Sequence, residues 1–422
     1  MNYQNSIQYA KKLDREDPLR SFRKKFLVPQ INGKHTMYFI GNSLGLQPKS
    51  TKKFIEEELT DWARLGGEGH THARRPWLYY HKLSKKALAE ITGAKPSEVV
   101  AMNQLTVNLH LMLVSFYRPT PKRFKIITEA GAFPSDQYAF ESHIKFHDFN
   151  PEEALIELKP REGEHILRTD DILNSIRENA SSVALVIFGG VQYYTGQFFD
   201  LAKITAAGHE AGAVVGFDLA HAIGNTPLRL HKDEVDFAVW CSYKYLNAGP
   251  GGLAGAFVHE KHGSNFSLPR FAGWWGHDEK ERFEMKKEFK PMQGVDGWQL
   301  SNVPVFQGAA LLSSLMIFQE AGMNAIRKKS ILLTGFLQFL FDQIDPDQQF
   351  FQIITPRNKN ERGCQLSLFI KSDAKAIFKK LEKNGIVADY RSPDVIRIAP
   401  VPLYNTFEEV YHFATIFSKL FK

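Results

Sequence analysis

Four short, uninterrupted apolar runs constrain this chain most: residues 124–128 (FKIIT), 183–188 (VALVIF), 214–217 (VVGF) and 236–240 (DFAVW). A strand wetted on one face alternates apolar and polar residues, whereas continuous runs suit strands buried on both faces of a parallel sheet. Helix-like stretches separate the runs. Between residues 200 and 212, for example, Leu201, Ile204 and the Ala207-Gly208 pair fall on one helical face, and Gly212 follows as a stop. From about Thr51 to Val258 this alternation predicts an α/β fold with a doubly wound, mostly parallel sheet.

Past Ala309 the texture changes to long helix-like segments. GCQLSLFI at 363–370, a Lys-rich helical pattern and VIRIAPV at 395–401 follow, then a last helix opening at Thr406 with Glu408-Glu409 behind it. The division expected is an N-terminal segment 1–50 packing with the small domain, a large domain 51–308 and a smaller α+β domain 309–422. No repeat or Pro/Ser-rich linker separates them, so a cleft between closely packed domains is expected.

Composition narrows the classes. With 43% hydrophobic and 23% charged residues over 422 positions, the chain is ordinary globular material with ample core. Its +7 formal charge comes from scattered pairs such as Lys24-Lys25 and Arg74-Arg75, not from a basic stripe, so nucleic acid is not the expected partner; anionic substrates or cofactors are. Only Cys241 and Cys364 occur, which excludes a disulfide framework and a four-cysteine zinc site and fits the cytoplasm. The first residues carry charges where a leader needs an apolar core, and no run approaches the ~18 apolar residues of a membrane span.

The chemistry centres on WCSYKYLNAGPGGLAGAFV, which sets Lys244 just past a buried strand and before a glycine cluster. Open α/β sheets bind ligands at that end of their strands. A desolvated lysine there can form a Schiff base with an aldehyde cofactor, although a lysine in a loop is ordinarily just solvated. Asp218 closes another apolar run, in VVGFDLAHAIG, where a carboxylate can pair with a pyridinium nitrogen or merely cap a turn. His221 shares its side if that turn is helical. No second ligand pair supports a metal at Asp218-x-x-His221. In AFPSDQYA, Phe133 offers a stacking face with Pro134, Ser135 and Asp136 beside it, or the segment is simply a turn. Leu105-Thr106 open a helix-like run whose amides can bind phosphate or begin a helix with no ligand.

GNSLGLQPKS (41–50), AFPSDQYA (132–139), GFDLAHAIGN (216–225), WCSYKYLNAG (240–249) and RIAPVPLYN (397–405) together resemble kynureninase, in the same order through nearly the whole chain. The resemblance implies an aspartate aminotransferase-like fold, pyridoxal 5'-phosphate (PLP) as cofactor, and a homodimer with active sites at the subunit boundary. The implied reaction is hydrolysis of L-kynurenine to anthranilate and L-alanine, with 3-hydroxy-L-kynurenine as a second expected substrate, in tryptophan catabolism and NAD synthesis. Lys244 would carry the cofactor, Asp218 face its ring nitrogen, and Phe133 with Asp136 flank the ring. Leu105, Thr106 and Tyr243 would sit on the phosphate side, with Tyr243 also a candidate proton donor. His221, Trp274 (in GWWGH, rather than Trp275) and Asn302 complete the implied cofactor set. For substrate, Arg397 would clamp the carboxylate, while Ser43, His70 and Asn302 match positions near the kynurenine side chain. The chain departs from the family where FGGV puts Gly189 in place of a frequent serine. Rival readings are a cysteine desulfurase-like lyase or aminotransferase of similar fold, and a catalytically silent binding protein.

Overall fold

The structure, a computed structural model, describes residues 2–421. Seven strands form the central sheet: β1 (Val99–Ala101), β2 (Lys125–Glu129), β3 (Leu155–Leu158), β4 (Val183–Gly189), β5 (Val214–Asp218), β6 (Phe237–Trp240) and β7 (Gly255–Val258). Their order is β1-β7-β6-β5-β4-β2-β3, and β7 alone runs antiparallel to its neighbours. All four apolar runs are strands of this sheet, and β6 is buried throughout, as burial on both faces requires.

Helices cover the sheet: α1 (Ile7–Glu16) lies outside it, while α2 (Ser50–Leu65), α3 (Lys85–Thr92), α4 (Leu105–Phe116), α5 (Pro134–Phe146) and α6 (Leu201–Glu210) precede or connect its strands. In α6, the Asp200 carboxylate caps the N-terminus by accepting from the Lys203 amide at 3.2 Å, and Leu201, Ile204, Ala207 and Gly208 are buried. A Cβ on Gly208 would lie 2.3 Å from Val215 Cγ2, so glycine is what lets helix and sheet approach.

Two further helices, α7 (Val305–Ala321) and α8 (Met323–Ile344), lead to a four-stranded antiparallel sheet. Its strands are β8 (Phe351–Ile353), β9 (Leu366–Ile370), β10 (Asp389–Arg391) and β11 (Val395–Ile398), in the order β8-β9-β11-β10. Helices α9 (Ala374–Lys383) and α10 (Phe407–Ser418) complete this layer, α10 opening on a reciprocal capping box between Thr406 and Glu409.

The change of texture at Ala309 lies inside α7, which packs on α2 and α3 and shares the core of the large sheet. The second core takes up the chain only from Leu333, within α8, and it also contains Ala10 and Phe39 from the N-terminal segment. The join is therefore a continuous helix, and α7 is buried on so many sides that its composition does not reveal which core it serves. No single described helix is long and apolar enough to cross a membrane; α7 and α8 pass that test only as a pair bent by 79°.

Candidate active site

The C-terminal edge of the parallel strands forms one wall of a cavity lined by Glu129, Gly189 and Asp218, the last residues of β2, β4 and β5. Leu105 and Thr106 at the start of α4, Phe133, Ser135 and Asp136 around the start of α5, and His221, Tyr243 and Lys244 close it. Nine residues named from the sequence as cofactor contacts thus converge. Pro134, the tenth of that local group, takes the first position of α5 and helps set the turn that aims Phe133 and Asp136.

Local chain geometry explains the convergence. Asp218 is registered against Gly189 on one side and Val239 on the other, and its Oδ1 accepts from the Ala220 amide at 2.7 Å. That contact is a turn cap, with no helix at residues 219–225, so the capping and pyridinium readings of Asp218 are compatible. Past β6, the Lys244 carbonyl accepts from the Asn247 amide at 3.0 Å, with Asn247 at φ 53°, turning the chain back so that the lysine faces the cavity. Gly45, from GNSLG, donates its amide to the Tyr243 carbonyl at 2.8 Å; a Cβ there would lie 2.3 Å from the Lys244 carbonyl oxygen. The N-terminal motif is thereby tied to the lysine loop.

Lys244 Nζ sits 5.7 Å from the Phe133 ring centre and 5.9 Å from that of Tyr243. Around it the electrostatics are uneven. Burial, then the charge of Asp218, raises the Asp136 carboxyl well above its usual range, and burial also raises Asp218 while Lys244 opposes it. Burial pushes Glu129 up to about 7. His221 is held neutral by burial and by the nearby cations Lys244, Arg397 and Arg391, and its Nδ1 is buried without a partner. Tyr243 is raised by burial and by the Cys241 thiol, so its phenol keeps its proton at neutral pH.

These residues fit a phosphorylated pyridine aldehyde. A cationic ring nitrogen would relieve the crowded Asp136 and Asp218 carboxyls, Phe133 offers a ring face, and Lys244 offers the amine. The Gln104 side chain makes no capping bond to α4, leaving the amides at Leu105-Thr106 available for a phosphate.

Arg397 lies on β11, fully buried, with burial lowering its guanidinium to about 10, still cationic at neutral pH. It reaches the cavity wall through Tyr193, whose ring stands edge-on to Phe133 at 5.3 Å. Four named residues are not brought to the cavity within this chain. Trp274 is 48% exposed, donating to the Arg282 carbonyl at 3.1 Å, whereas Trp275 beside it is buried. His70 is exposed, edge-on to Trp77 at 5.5 Å, and Asn302 is exposed in a loop. Ser43 is half-buried two residues from Gly45, near the lysine loop but off the lining.

Four lining residues were missed from the sequence: Glu129 and Tyr193, which carry polar groups, and the apolar Val191 and Ala220. Glu129 ends the apolar run FKIIT just as Asp218 ends VVGF, so the same rule finds it. Its carboxylate oxygens accept from the Gly189 amide at 3.1 and 3.2 Å, and a Cβ on Gly189 would meet Oε1 at 3.0 Å. The departure at Gly189 thus leaves the wall filled by Glu129.

Among the described residues, Glu98, His231 and His259 also cluster. The two imidazoles stack 4.9 Å apart at 8°, so their in-plane lone pairs cannot converge on one ion. Glu98 already accepts from the His231 ring and the Lys95 and Glu260 amides.

The fold and the paired lysine and aspartate at the strand ends define a PLP-type enzyme of the aspartate aminotransferase-like class. Solved structures share that fold. The cysteine desulfurase CsdA from Escherichia coli matches with TM-score 0.76 at 15% identity, covering 96% of this chain and 98% of its own. A cysteine desulfurase from Thermococcus onnurineus NA1 matches with TM-score 0.75 at 17% identity, over 91% and 94%. The model for the kynureninase C-terminal domain matches residues 326–417. Kynureninases from Myxococcus xanthus (57% identity over 97% of this chain and 96% of that one), Flavobacterium psychrophilum (52%, 99% and 99%) and mouse (48%, 97% and 92%) align along its length. The chain belongs to the kynureninase family.

Proposed function

We propose that this protein hydrolyses L-kynurenine to anthranilate and L-alanine, with PLP carried on Lys244. The carrying observation is that Lys244, Asp218, Asp136, Phe133 and Thr106 share one cavity in a chain of this family. When bound, PLP supplies a cationic aromatic electron sink for the carbanion formed at the substrate α-carbon. Lys244 would hold the cofactor through its amine and, once that amine is free, would act as general base toward the substrate α-proton. Asp218, with Asp136 beside it, would hold the ring nitrogen in its protonated form. Water adds at the γ-carbonyl, the Cβ–Cγ bond breaks, and the water oxygen leaves in the anthranilate carboxylate. Tyr243, which holds its proton at neutral pH, would protonate Cβ of the fragment that stays bound and becomes alanine as anthranilate leaves. Arg397 takes the α-carboxylate.

The enzyme acts as a homodimer in this reading, with Trp274, Asn302 and His70 supplied across the boundary to the partner's Lys244 cavity. Their exposure, and that of Trp62, Phe271, Phe283 and Met285, supports it. His70 and Asn302 would hydrogen-bond a ring hydroxyl, so 3-hydroxykynurenine is accepted too; unchanged selectivity in Asn302→Ala would refute that detail. Both cysteines are buried and free, which supports a cytoplasmic location and disfavours a desulfurase, since burial raises both thiols, Cys364 to about 12. The test is incubation of the PLP-loaded protein with L-kynurenine, reading anthranilate fluorescence and alanine. Product from Lys244→Ala at the wild-type rate would refute the proposal.

A further inference from the structure

The guanidinium of Arg397 is anchored before any substrate arrives. Asp389 on β10 is its direct cross-strand partner on β11, and the two side chains form an ion pair through Oδ2 and Nη2. Nη1 donates to the Tyr193 carbonyl at 2.5 Å. Nε is buried with no partner. The same Asp389 Oδ2 also accepts from Arg391 Nη2 at 3.1 Å, and Arg391, like Arg397, lies 5.9 Å from the Tyr193 ring centre.

An arginine side chain is long and rich in rotamers, so a free guanidinium loses entropy whenever it must meet a carboxylate in one geometry. Here two of its three nitrogens are tied to rigid elements, a strand carboxylate and a backbone carbonyl, while the third keeps an unused donor. A buried N–H without a partner is costly, and an incoming carboxylate satisfies it. Arg391, about one-third exposed, holds Asp389 from the solvent side and shares its charge.

We propose that Asp389, held by Arg391, is a positioning residue that fixes Arg397 so that its free donor edge selects a substrate bearing an α-carboxylate. This deepens the Arg397 reading given above and rests on it. Asp389 touches no reacting atom; it acts through Arg397.

The test is calorimetric binding of L-alanine, the product amino acid, and of L-alaninamide, its uncharged-carboxyl counterpart, to the PLP-loaded enzyme. Wild type should favour L-alanine. Asp389→Asn should cut the preference about tenfold, with KM for L-kynurenine rising more than kcat falls, and Arg391→Gln should cut it about threefold. A purely structural role would weaken both ligands equally and leave the preference intact, and that result, or a rise in preference, would overturn the proposal. Arg397→Lys separates the two readings. If it abolishes the preference while Asp389→Asn and Arg391→Gln do not change it, the clamp stands and the positioning role falls. If it leaves the preference intact, both fall. Should Asp389→Asn fail to fold by its melting curve, Arg391→Gln, at a more exposed site, decides the matter.

Discussion

The cofactor side and the substrate side of this site are built differently. On the cofactor side, Glu129, Gly189 and Asp218 end adjacent strands, Lys244 follows the next, and the helix starts at Leu105 and Phe133 face them, all within one chain. On the substrate side, Arg397 comes from the second sheet, while His70, Trp274 and Asn302 lie exposed elsewhere on the surface. The sheet gathers cofactor groups because its parallel strands deliver their last residues to the same edge. No such rule gathers the substrate groups, which is why a second subunit enters the proposal.

The largest expected effect falls on the cofactor side. Lys244→Ala should lower kcat by about a thousandfold or more, because anchor and base are lost together. Asp218→Asn keeps the Ala220 contact but not the charge; a loss of about a hundredfold in kcat is expected, with the melting temperature of the loaded protein little changed. A loss below threefold would place the ring-nitrogen partner elsewhere, with Asp136 the first suspect.

The contrast itself breaks or holds on subunit mixing. Lys244→Ala and Trp274→Ala proteins, each nearly inactive, should recover about a quarter of wild-type activity when refolded together, since half the dimers then carry one intact site. No recovery would mean that each chain builds its site alone.

The smallest effect concerns Glu129. Its folded carboxyl is raised to about 7 from an unfolded 4.5, so its protonated form favours the fold. The contribution is full below about pH 4.5 and lost as pH rises to about 7. Relative to Glu129→Gln, the cofactor-free wild type should lose on the order of 3 kcal/mol of stability across that window, read from denaturant curves at each pH. A constant difference would mean that Glu129 titrates normally.

Much of the cofactor side was legible because apolar runs mark strands, and the residue just past a run marks the binding edge. Lys244 and Asp218 were found that way, and Glu129 answers to the same rule. Tyr193 and Asp389 were not legible. Tyr193 sits in a loop with no periodicity, and Asp389 faces Arg397 only through the register of an antiparallel pair that sequence spacing does not fix. The transition near Ala309 misled because α7 is apolar around its circumference, whichever core it joins. His70, Trp274 and Asn302 carried no local signal, since a side chain left exposed on its own chain looks like any surface residue.

The most direct test of the whole account is borohydride reduction of the PLP-loaded protein followed by peptide mapping. Phosphopyridoxyl label on the peptide containing Lys244, absent after prior displacement by substrate, is the predicted result. Label on any other lysine, or none, would contradict it.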